Sequence, residues 1–134
     1  MIISVEELKA YPEFENQDES MLKKKLDAIE LMIRKYTNNN FQNRNIRFLA
    51  DSVGNSLDGV SPFIKIGDTI QISESLVNDG LYVVTDIDDG SIVVDKPLFF
   101  SLHNLVTKVE YPFDIQVGIV NLMKWEMTIR NKVG

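Results

Sequence analysis

Apolar and polar positions divide the chain into helical ends around a middle that alternates in steps of two. At the start, Ser4 stands three residues before Glu7. The Ser4 hydroxyl can then accept from the Glu7 amide while the Glu7 carboxylate accepts from the Ser4 amide. Ile3 and Leu8 fall at the two positions of a hydrophobic staple, and Pro12 predicts that this short helix stops near Tyr11. A second helix is predicted from Asn16 or Asp18, its buried stripe made of Leu22, Leu26, Ile29, Ile33 and Tyr36 at spacings of four and three. Lys23, Lys24 and Lys25 fall largely off that stripe and read as a solvated face. The closing segment opens on Pro112 and Asp114, with Asp114 as cap or first-turn acid. It carries a wide stripe of Ile115, Gly118, Ile119, Leu122, Trp125 and Ile129.

Residues 37–45 are rich in asparagine and hold no aliphatic side chain, which predicts a linker. Beyond it the period changes. Ile46 with Phe48, Ile64 with Ile66, Ile70 with Ile72, and then 81–87, 91–95 and 105–111 predict five or six short antiparallel strands. Asn78-Asp79-Gly80 and Asp88-Asp89-Gly90 are turn signals, and the second should join 81–87 to 91–95 as a hairpin. Residues 54–59 read as a mobile surface loop. Phe99 and Phe100 are neighbours on a predicted strand, so the pleat should turn one inward and leave one as a candidate contact. The predicted class is α+β: N- and C-terminal helices packed as a small bundle, with an antiparallel barrel or curled sheet inserted between them. The run from Ile66 to Ile72, followed by Gly80 to Val84, is similar to the opening of SH3-like barrels. Residues 1–134 are read as one domain, with 1–45 and 112–134 helical and 46–111 the β-rich insertion.

Composition narrows the chemistry. The 134 residues are 44% apolar and 25% charged, in the range of folded soluble domains, and no apolar run approaches the roughly 18 to 20 residues that cross a bilayer. The N-terminus lacks a basic stretch followed by an apolar one, so the protein is read as made and used in a cytoplasm, with no membrane partner. Cysteine is absent, which removes thiolate and Cys-zinc chemistry, and the single His103 removes the HExxH motif. Asp86, Asp88 and Asp89, with Asp95 nearby, lack the ligand spacing of an EF-hand loop and read as a turn. No Gly-x-Ser-x-Gly elbow accompanies His103, which reads as a loop histidine, and the glycines at 54 and 59 precede no Lys-Ser/Thr phosphate loop. Neither an enzyme nor a cofactor or metal is predicted. The net charge of −6 argues against gripping nucleic acid, and it is unevenly placed: residues 46–111 hold four basic and ten acidic groups.

The flanks carry a family pattern. Val5-Glu6-Glu7-Leu8-Lys9-Ala10-Tyr11, the acidic step Asp18-Glu19, the stripe from Leu22 through Ile29 to Tyr36-Thr37, and the Pro112-Phe113-Asp114-Ile115 helix ending in Arg130 resemble the head-tail connector family of tailed bacteriophages, of the siphophage type. The resemblance implies a structural, non-enzymatic virion protein. Such a protein is assembled in the host cytoplasm and placed at the head-tail interface as a ring, commonly of twelve copies, beneath the portal. Its implied partners are the portal protein, other copies of itself and the next head-completion or tail protein, with DNA only a non-specific passenger through the channel. It also implies that the C-terminal end reaches the portal, with Arg130, Asn131, Lys132 and Val133 as candidate contacts. Glu74, Asp86, Asp88 and Asp89 are candidates for an acidic channel wall that keeps DNA from sticking. Helical stripes wide enough to pack both internally and sideways agree with ring formation. An SH3-like interaction adaptor outside a virion, a neighbouring phage stopper or tail-completion protein, and a carboxylate or metal-dependent hydrolase built on the aspartates stand as the other readings.

Overall fold

The computed structural model describes residues 1–59 and 61–133, with side chains through Thr128. The element order is α1 (Val5–Lys9), α2 (Glu19–Thr37), β1 (Gln42–Val53), β2 (Ser56–Asp58), β3 (Thr69–Ser73), β4 (Gly80–Asp88), β5 (Ser91–Val94), β6 (Ser101–Val109) and α3 (Phe113–Val133). Contacts divide the chain into two compact units. One joins Met1–Asn39 to the chain from Tyr111 onward, and the other is Asn40–Glu110.

In the helical unit the capping box forms as the sequence requires: the Glu7 amide donates to Ser4 Oγ at 3.0 Å and the Ser4 amide to Glu7 Oε1 at 3.4 Å. Both staple residues, Ile3 and Leu8, are buried. Asp18, not Asn16, caps α2, accepting from the Ser20 amide. Leu22, Leu26 and Ile29 are buried with Ile2, Ile3, Leu8, Phe14, Ile119, Val120 and Met123 in one core. The stripe fades toward the C-terminal end of α2, where Ile33 is half-buried and Tyr36 is 82% exposed. On α3 the buried face is Ile119, Val120 and Met123, and Trp125 is 61% exposed. The predicted stripe was thus rotated by about one residue, because spacing alone does not say which edge of a wide apolar face meets the core. Asp114 sits inside the first turn and accepts from the Ile115 amide, so it acts as a first-turn acid.

The other unit is a closed antiparallel barrel in the order β1-β2-β5-β4-β3-β6, closed by pairing of β6 with β1. Its core is Ala50, Leu57, Ile64, Ile70, Ile72, Tyr82, Val84, Ile92, Val94, Leu98 and Val106. Each strand has a neighbour on both sides along part of its length, the β1–β2 pairing being confined to Asp51–Val53. The hairpin from β4 to β5 forms with Asp88 opposite Ser91 and Gly90 at φ 82°, a left-handed conformation that glycine adopts without strain.

Four local expectations give way. Residues 54–59 are not a mobile loop: Gly54 at φ 63° turns the chain with Asn55, and β2 follows, with Leu57 fully buried opposite Ile92. Ile64 and Ile66 do not form a strand. The Ile64 amide donates back to Ser61 O, and the Lys65 amide is held by Asp68 Oδ2 at 2.8 Å. These two turns bury Ile64 and expose Ile66. The asparagine-rich segment is only in part a linker, since α2 runs through Thr37 and β1 begins at Gln42. The register between Asn43 and Arg47 then shifts by a bulge in which the Asn45 amide donates to Asn43 Oδ1. Last, β6 starts at Ser101 rather than 105. Between the pairs Ala50–Asn104 and Ser52–Ser101, both Leu102 and His103 oppose Asp51, and this bulge breaks the alternation that marks a strand.

Candidate interaction surface on the barrel

Most inward positions of the barrel are apolar, and buried uncharged polar side chains gather at one end. Along β1 the inward series passes from Ala50 to Ser52, and along β6 it passes backward from Val106 to Asn104, both polar residues fully buried. A buried amide is costly unless its bonds are met, and here they are met by a network that joins five chain segments. Asn78 Nδ2 donates toward Phe99 O at 2.9 Å, Ser52 Oγ at 3.1 Å and Asn104 Oδ1 at 3.3 Å, while Asn78 Oδ1 accepts from the Phe99 amide at 2.8 Å. Asn104 Nδ2 donates to Ala50 O at 2.9 Å, and its Oδ1 accepts from Ser75 Oγ at 2.7 Å. Ser52 Oγ donates to Phe99 O at 2.6 Å. From the opposite side Tyr82 donates its hydroxyl proton to Asn78 O at 2.7 Å. Burial, and then the charges of Asp79 and Asp95, push the Tyr82 phenol above its ordinary range, so it remains a donor. Among the described residues no buried side-chain nitrogen or oxygen lacks a partner.

The network fixes the backbone under an exposed apolar surface. Residues 97–100 lie outside any strand, since Pro97 has no amide to offer a ladder and the Asn78 side chain takes the place of a strand partner for Phe99. Freed from the pleat, Phe99 and Phe100 are both exposed, at 69% and 71%, which corrects the expectation that one would turn inward. The loop between β3 and β4 is held in the same way. Its Ser75 amide donates to Asp79 Oδ1 at 2.8 Å, and Glu74 and Leu76 take left-handed φ of 59° and 69°. Leu76, 96% exposed, and Val77 stand just before the hub residue Asn78, Val53 just after Ser52, and Leu102 just after Ser101. Large apolar side chains so placed on a fixed backbone suit docking, because little conformational freedom is lost when a partner covers them.

The predicted acids are arranged in two places. Asp86, Asp88 and Asp89 are exposed at the β4–β5 hairpin tip, where Asp86 Oδ1 accepts from the Ile87 amide and Asp88 Oδ1 from the Asp89 amide. Glu74 follows β3 near Gly80, at the other end of β4, roughly 25 Å along the strand from the tip. Arg130, Asn131, Lys132 and Val133 form the last turn of α3, and their side chains lie outside the described residues. Among the described residues no group of three or more His, Asp or Glu side chains is placed to hold a metal ion, and no helix is long and apolar enough to cross a membrane. His103 sits in the bulge at φ 57°, exposed, its amide donating to Asp51 Oδ1 at 2.9 Å. Of the hub residues, Asn78 is read from sequence only as part of a turn, and Ser52 on β1 and Asn104 on β6 are not singled out. Their signal was the switch from apolar to polar at the inward positions of β1 and β6, hidden on β6 by the bulge. Comparison with protein-family models, with curated proteins and with solved structures finds no match to this chain.

Proposed function

We propose that the protein is a structural head-tail connector of a tailed bacteriophage. Copies of it would form a ring beneath the portal, extend the DNA channel and offer a docking platform to the next head-completion or tail protein. The observation that carries this reading is the way the chain ends fold. The two segments that hold the family resemblance are separated in sequence by the whole barrel, yet they share one apolar core. The barrel between them, which we read as SH3-like, supports the platform role with Phe99, Phe100, Leu76 and Val77 on a fixed backbone. In this reading Arg130, Asn131, Lys132 and Val133 meet the portal, and Asp86, Asp88, Asp89 and Glu74 supply negative charge toward the passing DNA. DNA itself is a passenger, and the place of work is the head-tail interface of the virion.

Negative-stain imaging of the purified protein, alone and mixed with the portal protein of the same genome, tests it. Rings docked coaxially on the portal are expected, whether or not rings form in isolation, and a chain ending at residue 129 should lose them while keeping its fold. A protein that stays monomeric and ignores the portal overturns the reading in favour of an interaction adaptor outside a virion, which would use the same barrel loops.

A further inference from the structure

Two grooves flank α3 within the helical unit. The first, of about 400 Å³, is lined by Ile3, Glu7 and Tyr11 from the α1 segment and by Phe113, Val117 and Val120 from α3. The second, of about 280 Å³, is lined by Lys25, Ala28 and Met32 of α2 and by Leu122, Trp125 and Glu126 of α3. At 3.6 residues per turn, the α3 residues of the two grooves point to opposite sides of the helix. Each groove has large apolar side chains exposed at its walls: Phe113, Tyr11 and Val117 at the first, Trp125 and Met32 at the second.

Their charges are opposite. Glu7 lines the first groove with Glu6 next to it in α1, and Lys124, 4.7 Å from the centre of the groove's Tyr11 ring, is already paired with Glu13 at 3.7 Å. Lys25 lines the second and is paired with Glu126, and helical spacing sets Lys24 one turn before Ala28 and Lys35 one turn after Met32 on the same side of α2. Either groove facing its own copy would bring like charges together, whereas the first facing the second brings acids to lysines.

We infer that the first groove of one copy docks on the second groove of the next, a head-to-tail self-contact through α1, α2 and α3. The occupant of each groove is therefore a second copy of this chain. A contact between two different patches on opposite sides of a subunit is heterologous, and repetition closes it into a ring when the rotation permits. The inference deepens the ring proposed above and rests on that reading for its setting.

The natural absence of cysteine makes the test direct. Ala10 and Ala28 line the first and second groove and are both exposed, so A10C and A28C are tolerable substitutions. The full chain carrying both, treated with a short bismaleimide alone and on the portal, should give a ladder of covalent oligomers on a denaturing gel. A mixture of the two single variants should give dimers, and each single variant by itself should stay monomeric. Adding K24E/K35E should reduce the ladder at least tenfold, and E6K/E13K on the same chain, at exposed positions outside the Ser4–Glu7 capping box, should restore it. Self-linking of either single variant, or no link between positions 10 and 28 with or without portal, overturns the inference. Rings on the portal without that link remove the inference and leave the connector, whereas a ladder from a protein that ignores the portal removes the connector and leaves the contact.

Discussion

At the scale of single residues, the barrel separates the groups that hold a surface from the groups that present it. Asn78 is 2% exposed and bonds to Ser52, Asn104 and both backbone atoms of Phe99. Asn78→Ala leaves the Phe99 amide without its acceptor, while Phe99 O keeps Ser52 and Asn104 Oδ1 keeps Ser75, and should cost about 1 to 3 kcal/mol in urea denaturation. Phe99→Ser with Phe100→Ser removes only exposed apolar area, so stability should move by about 0.5 kcal/mol or less while affinity for a docking partner falls more than tenfold. Equal losses of stability from both changes would mean the phenylalanines are structural. In the helical unit Tyr111 donates to Glu30 Oε1 at 2.6 Å and accepts from Arg34 at 3.1 Å. Burial first, and then the Glu30 carboxylate, hold its phenol well above the ordinary value against the opposing pull of Arg34. The folded state therefore keeps a proton that the unfolded chain releases above about pH 10, so the Tyr111 contribution to stability is level below that pH and is lost as it rises further. Denaturation midpoints between pH 9 and 11 should show that decline, and Tyr111→Phe should make it shallower. A decline unchanged in the variant would assign it elsewhere, with Tyr82 the next candidate, since its phenol is raised in the same direction.

At the scale of elements, what was legible depended on whether local chemistry and burial agreed. The capping box, the staple, the front of α2, β3 and the β4–β5 hairpin were all readable, because each is specified within a few residues of itself. The short strand β2 was not. Gly54 and Gly59 frame four residues whose only mark is Leu57, and that residue becomes buried through partners on β1 and β5 that are distant in sequence for the β5 side. The exposed apolar surface proposed for docking was half legible. Phe99 and Phe100 stood out as a pair, but the segment that carries them escapes the pleat through Pro97 and a bond to Asn78 some twenty residues earlier, which no periodicity encodes. The status of β2 as part of the core makes a direct prediction. Leu57→Ala removes a fully buried side chain from the barrel and should cost about 2 to 5 kcal/mol, read as a shift in the urea midpoint with the slope unchanged. A surface loop would show a change near zero.

At the scale of the whole molecule, charge is divided between the two units. Residues 40–110 carry five basic and ten acidic groups, so the barrel holds nearly all of the net −6, while the helical unit is close to balanced. That division follows the roles proposed here: a nearly neutral unit with two oppositely charged grooves can meet its own copies, and an acidic unit repels a polyanion. Repulsion reaches only about 8 to 10 Å at ordinary salt, so it matters for DNA only where acids lie close to the path. The hairpin tip is the place where Asp86, Asp88 and Asp89 are together and exposed. D86K/D88K/D89K changes the tip by six charges and touches no buried group, so the barrel should fold as before. If the tip faces the channel, virions built with this variant should eject DNA more slowly, and the delay should shrink as salt is raised, because the new attraction to phosphates is screened. An ejection rate equal to the parent's at low salt would place the hairpin outside the channel and leave its aspartates as the solvated end of a turn.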